Sequence, residues 1–192
     1  MSGFAGSLSL AVPRSGTRPT SDRVREAMFS SLEARDALRG ARVLDLYAGS
    51  GALGLEAMSR GAASVVLVER NAAAARVCRA NVAAIAKAAP PSAQPTAEVI
   101  VSSVHSFLTR DDVADSNRFD VVFIDPPYEL GEQELANDLA ALVALLGPAA
   151  VVVVERSTRS PEPTWPPGLE PERRKNYGET AVWTARSAAQ PT

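Results

Sequence analysis

Three short stretches carry residue types that could do chemistry together. The first is Asp45-Leu46-Tyr47-Ala48-Gly49-Ser50-Gly51-Ala52-Leu53-Gly54, in which Gly49, Gly51 and Gly54 satisfy GxGxxG. An apolar run precedes it and a helical pattern follows, so the glycines mark a tight strand-to-helix turn that lets backbone approach a ligand closely. The second is Glu69, twenty residues after Gly49 and at the end of the next apolar run. A carboxylate there accepts both hydrogen bonds from a ribose diol, which points to a nucleotide-type ligand at the switch point of an α/β sheet. Asp45 narrows the ligand. A carboxylate at the end of the first strand repels a diphosphate and suits a cationic amino-acid end, such as that of S-adenosyl-L-methionine. Two readings of Asp45 stay open, a counter-charge or a cap for the turn. Tyr47 likewise either faces the ligand or packs under the loop.

The third stretch is Asp125-Pro126-Pro127-Tyr128, which follows the apolar run FDVVFI. Consecutive prolines fix the backbone and remove two donors. Carbonyl oxygens and the Asp125 carboxylate remain, all acceptors. Such a cluster holds an exocyclic NH2 by its hydrogens and leaves the nitrogen lone pair to attack an electrophilic methyl group in line. Orientation and electrostatics lower the barrier without a strong base. Tyr128 offers a π-face to an extruded base.

Stepping outward, the elements that must position these residues alternate along the chain. A helix is predicted from Thr20 or Ser21, with Val24, Ala27, Met28 and Leu32 at i, i+3, i+4 spacing. Strands are predicted at Arg42–Leu46, Ser64–Glu69, Ala97–Val101, Phe119–Asp125 and Ala149–Glu155, with helices at Leu53–Ser59, Asn71–Lys87, Val104–Leu108 and Gln133–Leu146. Continuous Val/Ile runs between helices mark a parallel sheet covered on both faces. A hairpin is expected around Tyr177-Gly178 and a short strand at Leu8–Val12. The organisation expected is an N-terminal extension over 1–19 and one α/β domain over 20–192.

Composition excludes several classes. The chain has 192 residues, 46% of them hydrophobic, enough for a substantial core without staples. A single cysteine, Cys78, excludes a disulfide framework and any multi-cysteine zinc site. His105, the one histidine, has no second ligand nearby, so no metal is expected. No apolar run reaches the length of a membrane span, and the N-terminus lacks the charged start of a secretory signal, which predicts a cytoplasmic protein. Twenty Lys+Arg against 22 Asp+Glu give a net charge of −2. That balance lacks the basic footprint of a general nucleic-acid clamp. It is uneven, however. Residues 13–25 carry +3 and residues 156–178 carry +2, leaving −7 elsewhere. The two Arg-rich stretches are expected to converge beside the DPPY turn and contact phosphates.

The order DLYAGSGALG, VVLVER, DPPY resembles the class I S-adenosylmethionine-dependent methyltransferases that act on exocyclic amines. GTRPTSDRVREAMF (Gly16–Phe29), followed by DLYAGSGALGLEAMSRGA (Asp45–Ala62), resembles the bacterial 16S ribosomal RNA guanine-N2 methyltransferase family, which modifies guanine 966 of the small subunit. The resemblance implies a Rossmann-like α/β fold, with a mostly parallel seven-stranded sheet, an antiparallel C-terminal hairpin and helices on both faces. It implies S-adenosyl-L-methionine as cofactor. Asp45, Tyr47, Gly49, Ser50, Gly51, Gly54 and Glu69 would hold it, with Ser103 and Val104 at the adenine. Asp125, Pro126, Pro127 and Tyr128 would hold the guanine amine, as the catalytic set. Arg14, Arg18, Thr20, Arg23 and Glu26 would bind substrate. The partner implied is small-subunit ribosomal RNA within an assembled or assembling subunit, met by a monomer. Two departures stand out. Ser103 occupies a position that is often acidic in the wider class, and Gly3–Leu10 lacks the basic residues usual in the family's N-terminal strand.

The same chemistry also suits N6 of adenine in DNA or an amide nitrogen. An NAD-dependent oxidoreductase would use GxGxxG but leave DPPY and Asp45 without roles. His105 reads as structural or solvent-facing, Cys78 as a packed thiol, and Trp165 and Trp183 as packing residues.

Overall fold

The computed structural model describes residues 1–11, 22–91, 93–110 and 118–188. Among them a seven-stranded sheet runs in the order β3-β2-β1-β4-β5-β7-β6. The first five strands are β1 (Arg42–Leu46), β2 (Ser64–Glu69), β3 (Thr96–Val101), β4 (Phe119–Ile124) and β5 (Leu146–Ser157), paired in parallel. β6 (Leu169–Tyr177) and β7 (Thr180–Ser187) form the C-terminal hairpin, with β7 antiparallel to both neighbours.

The α-helices among the described residues are α1 (Asp22–Glu33), α2 (Ala52–Ser59), α3 (Ala72–Ala88), α4 (Val104–Leu108) and α5 (Glu132–Leu142). Strand alternation splits the core into two layers. Val43, Val121, Phe123 and Val153 face α1, α2 and α3, where Phe29, Leu55, Met58 and Ile85 meet them. Leu44, Leu46, Val122, Ile124 and Val154 face α4 and α5, against Phe107, Leu135, Leu139 and Leu142. Both faces of FDVVFI are therefore buried, which is why that run reads as continuously apolar. No described helix is long and apolar enough to cross a membrane.

Several boundaries differ from expectation, most by one residue, and β5, expected at Ala149–Glu155, runs over Leu146–Ser157. The helix expected to reach Leu146 stops at Leu142 and tightens into a 3-10 turn over Val143–Leu145. Gly147 and Pro148 cannot extend it, and Leu146 is drawn into the sheet beside Phe119. The strand expected at Leu8–Val12 does not form over its described part, residues 8–11. The backbone groups of Ala11 pair instead with the Asn81 side chain, Nδ2 donating to the carbonyl at 3.0 Å and Oδ1 accepting from the N–H at 2.9 Å. Residues 3–5 form a 3-10 turn on α2, where the Ala5 N–H donates to Ser59 Oγ at 2.9 Å.

The strand order reverses between β1 and β4. Register places Leu46 beside Ile124 on one side and Val68 on the other. The glycine turn, Glu69 and the DPPY turn therefore leave adjacent strands at the same carboxyl edge, where open α/β sheets bind ligands.

Candidate active site

The turn after β1 is built from three left-handed residues in five: Tyr47 (φ +62°), Gly49 (φ +56°) and Gly51 (φ +82°). Asp45 lies beneath it, 2% exposed, and its Oδ2 accepts from the Gly54 N–H at 2.8 Å. Of the two readings of Asp45, the cap is the contact formed. Burial pushes its carboxyl up to about 7, the Gly54 N–H opposes that rise, and the Asp125 and Glu69 charges add to it. The glycines answer to protein packing. A Cβ at Gly54 would lie 2.8 Å from Val65 Cγ1, and one at Gly51 would lie 2.8 Å from Cys78 Sγ. Cys78 is a packed thiol, wholly buried, and burial pushes it up to about 12.

Glu69 closes the turn from β2. Its Oε2 accepts from the Gly49 N–H at 2.9 Å and its Oε1 from the Asn71 N–H at 2.7 Å. The Ser50 carbonyl accepts from Asn81 Nδ2 at 2.9 Å, so the Asn81 side chain that pairs with Ala11 also braces the glycine turn. Ser103, expected at the adenine, caps α4. Its Oγ accepts from the Ser106 N–H at 3.1 Å and its hydroxyl donates to Ser106 Oγ at 2.7 Å. Val104 behind it is buried.

Tyr47 turns its phenol away from the β2 side. Its hydroxyl donates to Asp138 Oδ2 at 2.6 Å, and burial together with that acid holds the phenol well above its usual range. Asp138 is 1% exposed, and its Oδ1 lies 3.2 Å from His105 Nδ1. The expectation of a structural or solvent-facing His105 omitted this partner.

Just past β4, Asp125 is half-buried, Pro126 buried and Tyr128 67% exposed. The Pro127 carbonyl accepts from the Leu130 N–H at 3.0 Å, so one of the acceptors expected at the turn already has a donor. Arg156, buried, donates to the Leu130 carbonyl at 3.1 Å and pairs with Glu132. It braces the loop behind DPPY instead of reaching for phosphate, a role the sequence reading missed.

The match to known proteins is extensive. The family model described as Conserved hypothetical protein 95 covers residues 1–186. The chain is 36% identical over 182 residues to ribosomal RNA small subunit methyltransferase D of Escherichia coli K12, covering 94% of this chain and 85% of that one. The chain belongs to the ribosomal RNA small subunit methyltransferase D family. It is a methyltransferase with the class I fold. A solved hypothetical protein of Thermus thermophilus superposes with a TM-score of 0.76 at 34% identity, covering 95% of each chain. An rRNA methyltransferase from Streptomyces viridochromogenes shares the fold, with a TM-score of 0.69 at 20% identity over 92% of this chain and 88% of that one.

In this family member the expected substrate residues fall into three groups. Arg14, Arg18 and Thr20 lie outside the described residues, as do Val12 and the Ser21 cap. Arg23 is exposed on α1. Glu26, expected at the approach to the site, is engaged by Arg60, whose NH2 reaches it at 2.6 Å, and that contact holds its carboxyl below the usual range. The C-terminal Arg-rich stretch does not form one patch. Strand alternation puts Arg173 and Lys175 toward α1, beside Ser31 and Arg35, while Arg174 stacks over Trp183 at 4.8 Å on the opposite face. Trp183 is buried, and Trp165 is half-buried with its Nε1 donating to Glu162 at 3.1 Å.

Proposed function

We propose that the protein methylates the exocyclic N2 amine of a guanine in 16S ribosomal RNA, of the guanine-966 type, with S-adenosyl-L-methionine as donor. The carrying observation is the convergence of Asp45, Glu69 and Asp125 at one sheet edge with the DPPY turn, close enough that the other two charges raise the Asp45 carboxyl. Three mutually repelling acids favour a cationic ligand and disfavour a diphosphate. That electrostatic character fits the sulfonium and ammonium of the cofactor.

Asp45, Tyr47, Gly49, Ser50, Gly51, Gly54, Glu69, Ser103 and Val104 would hold the cofactor. Glu69 would accept the ribose hydroxyls, since each of its oxygens keeps lone pairs beyond the one N–H it holds. When bound, the cofactor supplies an electrophilic methyl group on a cationic sulfur. Asp125 and the Pro126 carbonyl would accept the amine hydrogens, orient the nitrogen lone pair and stabilise positive charge as it develops there. The proton leaves to Asp125 or solvent. The exposed Tyr128 ring would stack on the extruded base.

The RNA grip is local. Arg14, Arg18, Thr20 and Arg23 would meet the phosphates on the N-terminal side, with the exposed Arg159 and Arg173 on the other. Few neutralised phosphates mean a shallow salt dependence. We read the substrate as an assembled or assembling small subunit and the enzyme as a cytoplasmic monomer, with 1–19 an extension of one domain over 20–192.

Tritiated-methyl transfer to naked ribosomal RNA, small subunits and DNA, followed by nucleoside analysis, tests the proposal. N2-methylguanosine is expected, and another product overturns the assignment. Asp125→Ala should abolish transfer while leaving cofactor affinity within about threefold, because the acceptor acts on the amine.

A further inference from the structure

The glycine turn is moored on three sides, on α3 by Asn81 Nδ2 donating to the Ser50 carbonyl at 2.9 Å. Toward β2, the Ala48 N–H donates to the Val68 carbonyl at 2.9 Å and the Gly49 N–H to Glu69 at 2.9 Å. Toward α5, the Tyr47 phenol donates to Asp138 at 2.6 Å. Tyr47 needs a tether, since its φ of +62° lies where L side chains are rarely found. Asp138 also reaches His105 on α4, 3.2 Å away. One carboxyl group therefore joins the turn after β1, the helix capped by Ser103 and the helix that follows the DPPY turn.

Asp138 is an odd choice for stability alone. It interrupts the buried stripe of Leu135, Leu139 and Leu142, where an apolar side chain would avoid desolvation. What an acid adds at that position is a fixed geometry between two loops that an apolar residue would leave unlinked.

We propose that Asp138 is a positioning residue for the cofactor, fixing through Tyr47 and His105 the spacing between the ribose-side turn and the adenine-side helix. The inference rests on the reading of this edge as the cofactor site. Because Asp138 acts through other side chains, its loss changes cofactor affinity and KM for the cofactor, with little change in kcat at saturation.

The test is calorimetric binding of S-adenosylhomocysteine to wild type, Tyr47→Phe, Asp138→Asn, Asp138→Ala and the Tyr47→Phe/Asp138→Ala double variant. Tyr47→Phe keeps the ring and removes only the donor. Asp138→Asn keeps an oxygen acceptor for the phenol. Tyr47→Phe and Asp138→Ala should each weaken binding about tenfold, the scale of one hydrogen bond to a charged group. Asp138→Asn should recover to within about threefold, and the double variant should lose no more than Asp138→Ala alone, because Asp138→Ala already removes the acceptor of the phenol. Steady-state kinetics should place the loss in KM for the cofactor. Unchanged binding in Tyr47→Phe, a double-variant loss near a hundredfold, or a loss confined to kcat would overturn the inference. If Asp138→Ala does not fold, Tyr47→Phe and His105→Ala decide, the latter altering a side chain that is 57% exposed. Failure of wild type to bind S-adenosylhomocysteine would refute the cofactor reading itself, a separate result.

Discussion

If the proposed cofactor site is right, Asp45 makes cofactor binding a proton-linked event. Its carboxyl is raised from 3.8 to about 7, chiefly by burial. The folded protein therefore holds that proton more tightly than the unfolded chain does. The resulting stability is full below about pH 4 and is lost as pH rises through about 7. A shift of about three units at about 1.4 kcal/mol each makes the full effect about 4 kcal/mol. Above neutrality the site contains a buried carboxylate under repulsion from Glu69 and Asp125, which a bound cation relieves. Below neutrality the ligand must first expel the proton. Affinity for the cofactor should thus climb by up to about tenfold per pH unit between about pH 5 and 7, then flatten. Calorimetry in two buffers of different ionisation enthalpy should register release of close to one proton per ligand near pH 6. Asp45→Asn keeps an oxygen for the Gly54 N–H but cannot titrate. Its binding should be flat with pH, and weaker than wild type above neutrality. The same slope in wild type and Asp45→Asn, or no proton release in wild type, would refute the reasoning.

The remaining predictions concern how the site is held. Gly54→Ala places a methyl 2.8 Å from Val65 Cγ1 and 3.1 Å from the Asp45 Cβ. It should cost about 1–3 kcal/mol in urea denaturation by overpacking. Arg60→Leu removes contacts to Glu56 at 2.8 Å, Glu33 at 2.9 Å and Glu26 at 2.6 Å, and the stacking over Phe29 at 5.1 Å. Glu26 and Glu33 are about half exposed and screened, so the buried Glu56 sets the loss, about 3 kcal/mol. Adding Glu56→Gln to that variant should recover part of it, and a further loss would show the pair is not the cause.

The sheet was legible because both of its faces are covered. Arg42–Leu46 and Ser64–Glu69 have the bounds their apolar runs predict, since every residue of such a strand must be apolar or capped. The convergence of the candidate site residues followed from that, because the glycine turn, Glu69 and DPPY each sit at the end of a readable strand. Local sequence was less informative where side chains compete with backbone pairing. Residues 8–11 have the apolar character of a strand, but form none, and Asn81 takes the backbone hydrogen bonds of Ala11. The Arg-rich stretch at 156–178 reads as one patch only while its secondary structure is ignored. A period of two sends Arg173 and Lys175 to one face and Arg174 to the other.

The bracing residues the reading missed did leave a signal. In α5 the buried positions are Leu135, Asp138, Leu139 and Leu142, a helical stripe with an acid inside it. In α3 they are Ala75, Cys78, Asn81 and Ile85, a stripe with an amide inside it. In α2 the buried run includes Glu56. A polar side chain on an apolar helix face must find a partner or lose several kcal/mol. That partner comes from another element or, as an i,i+4 neighbour, from the end of the same helix. Asp138 finds the turn tyrosine, Asn81 finds Ala11 and Ser50, and Glu56 finds Arg60. Two of these four partners, Tyr47 and Ser50, lie in the glycine turn. The polar residues misplaced in the helix stripes are thus pointers to where the site is braced, and periodicity alone locates them before any contact is seen.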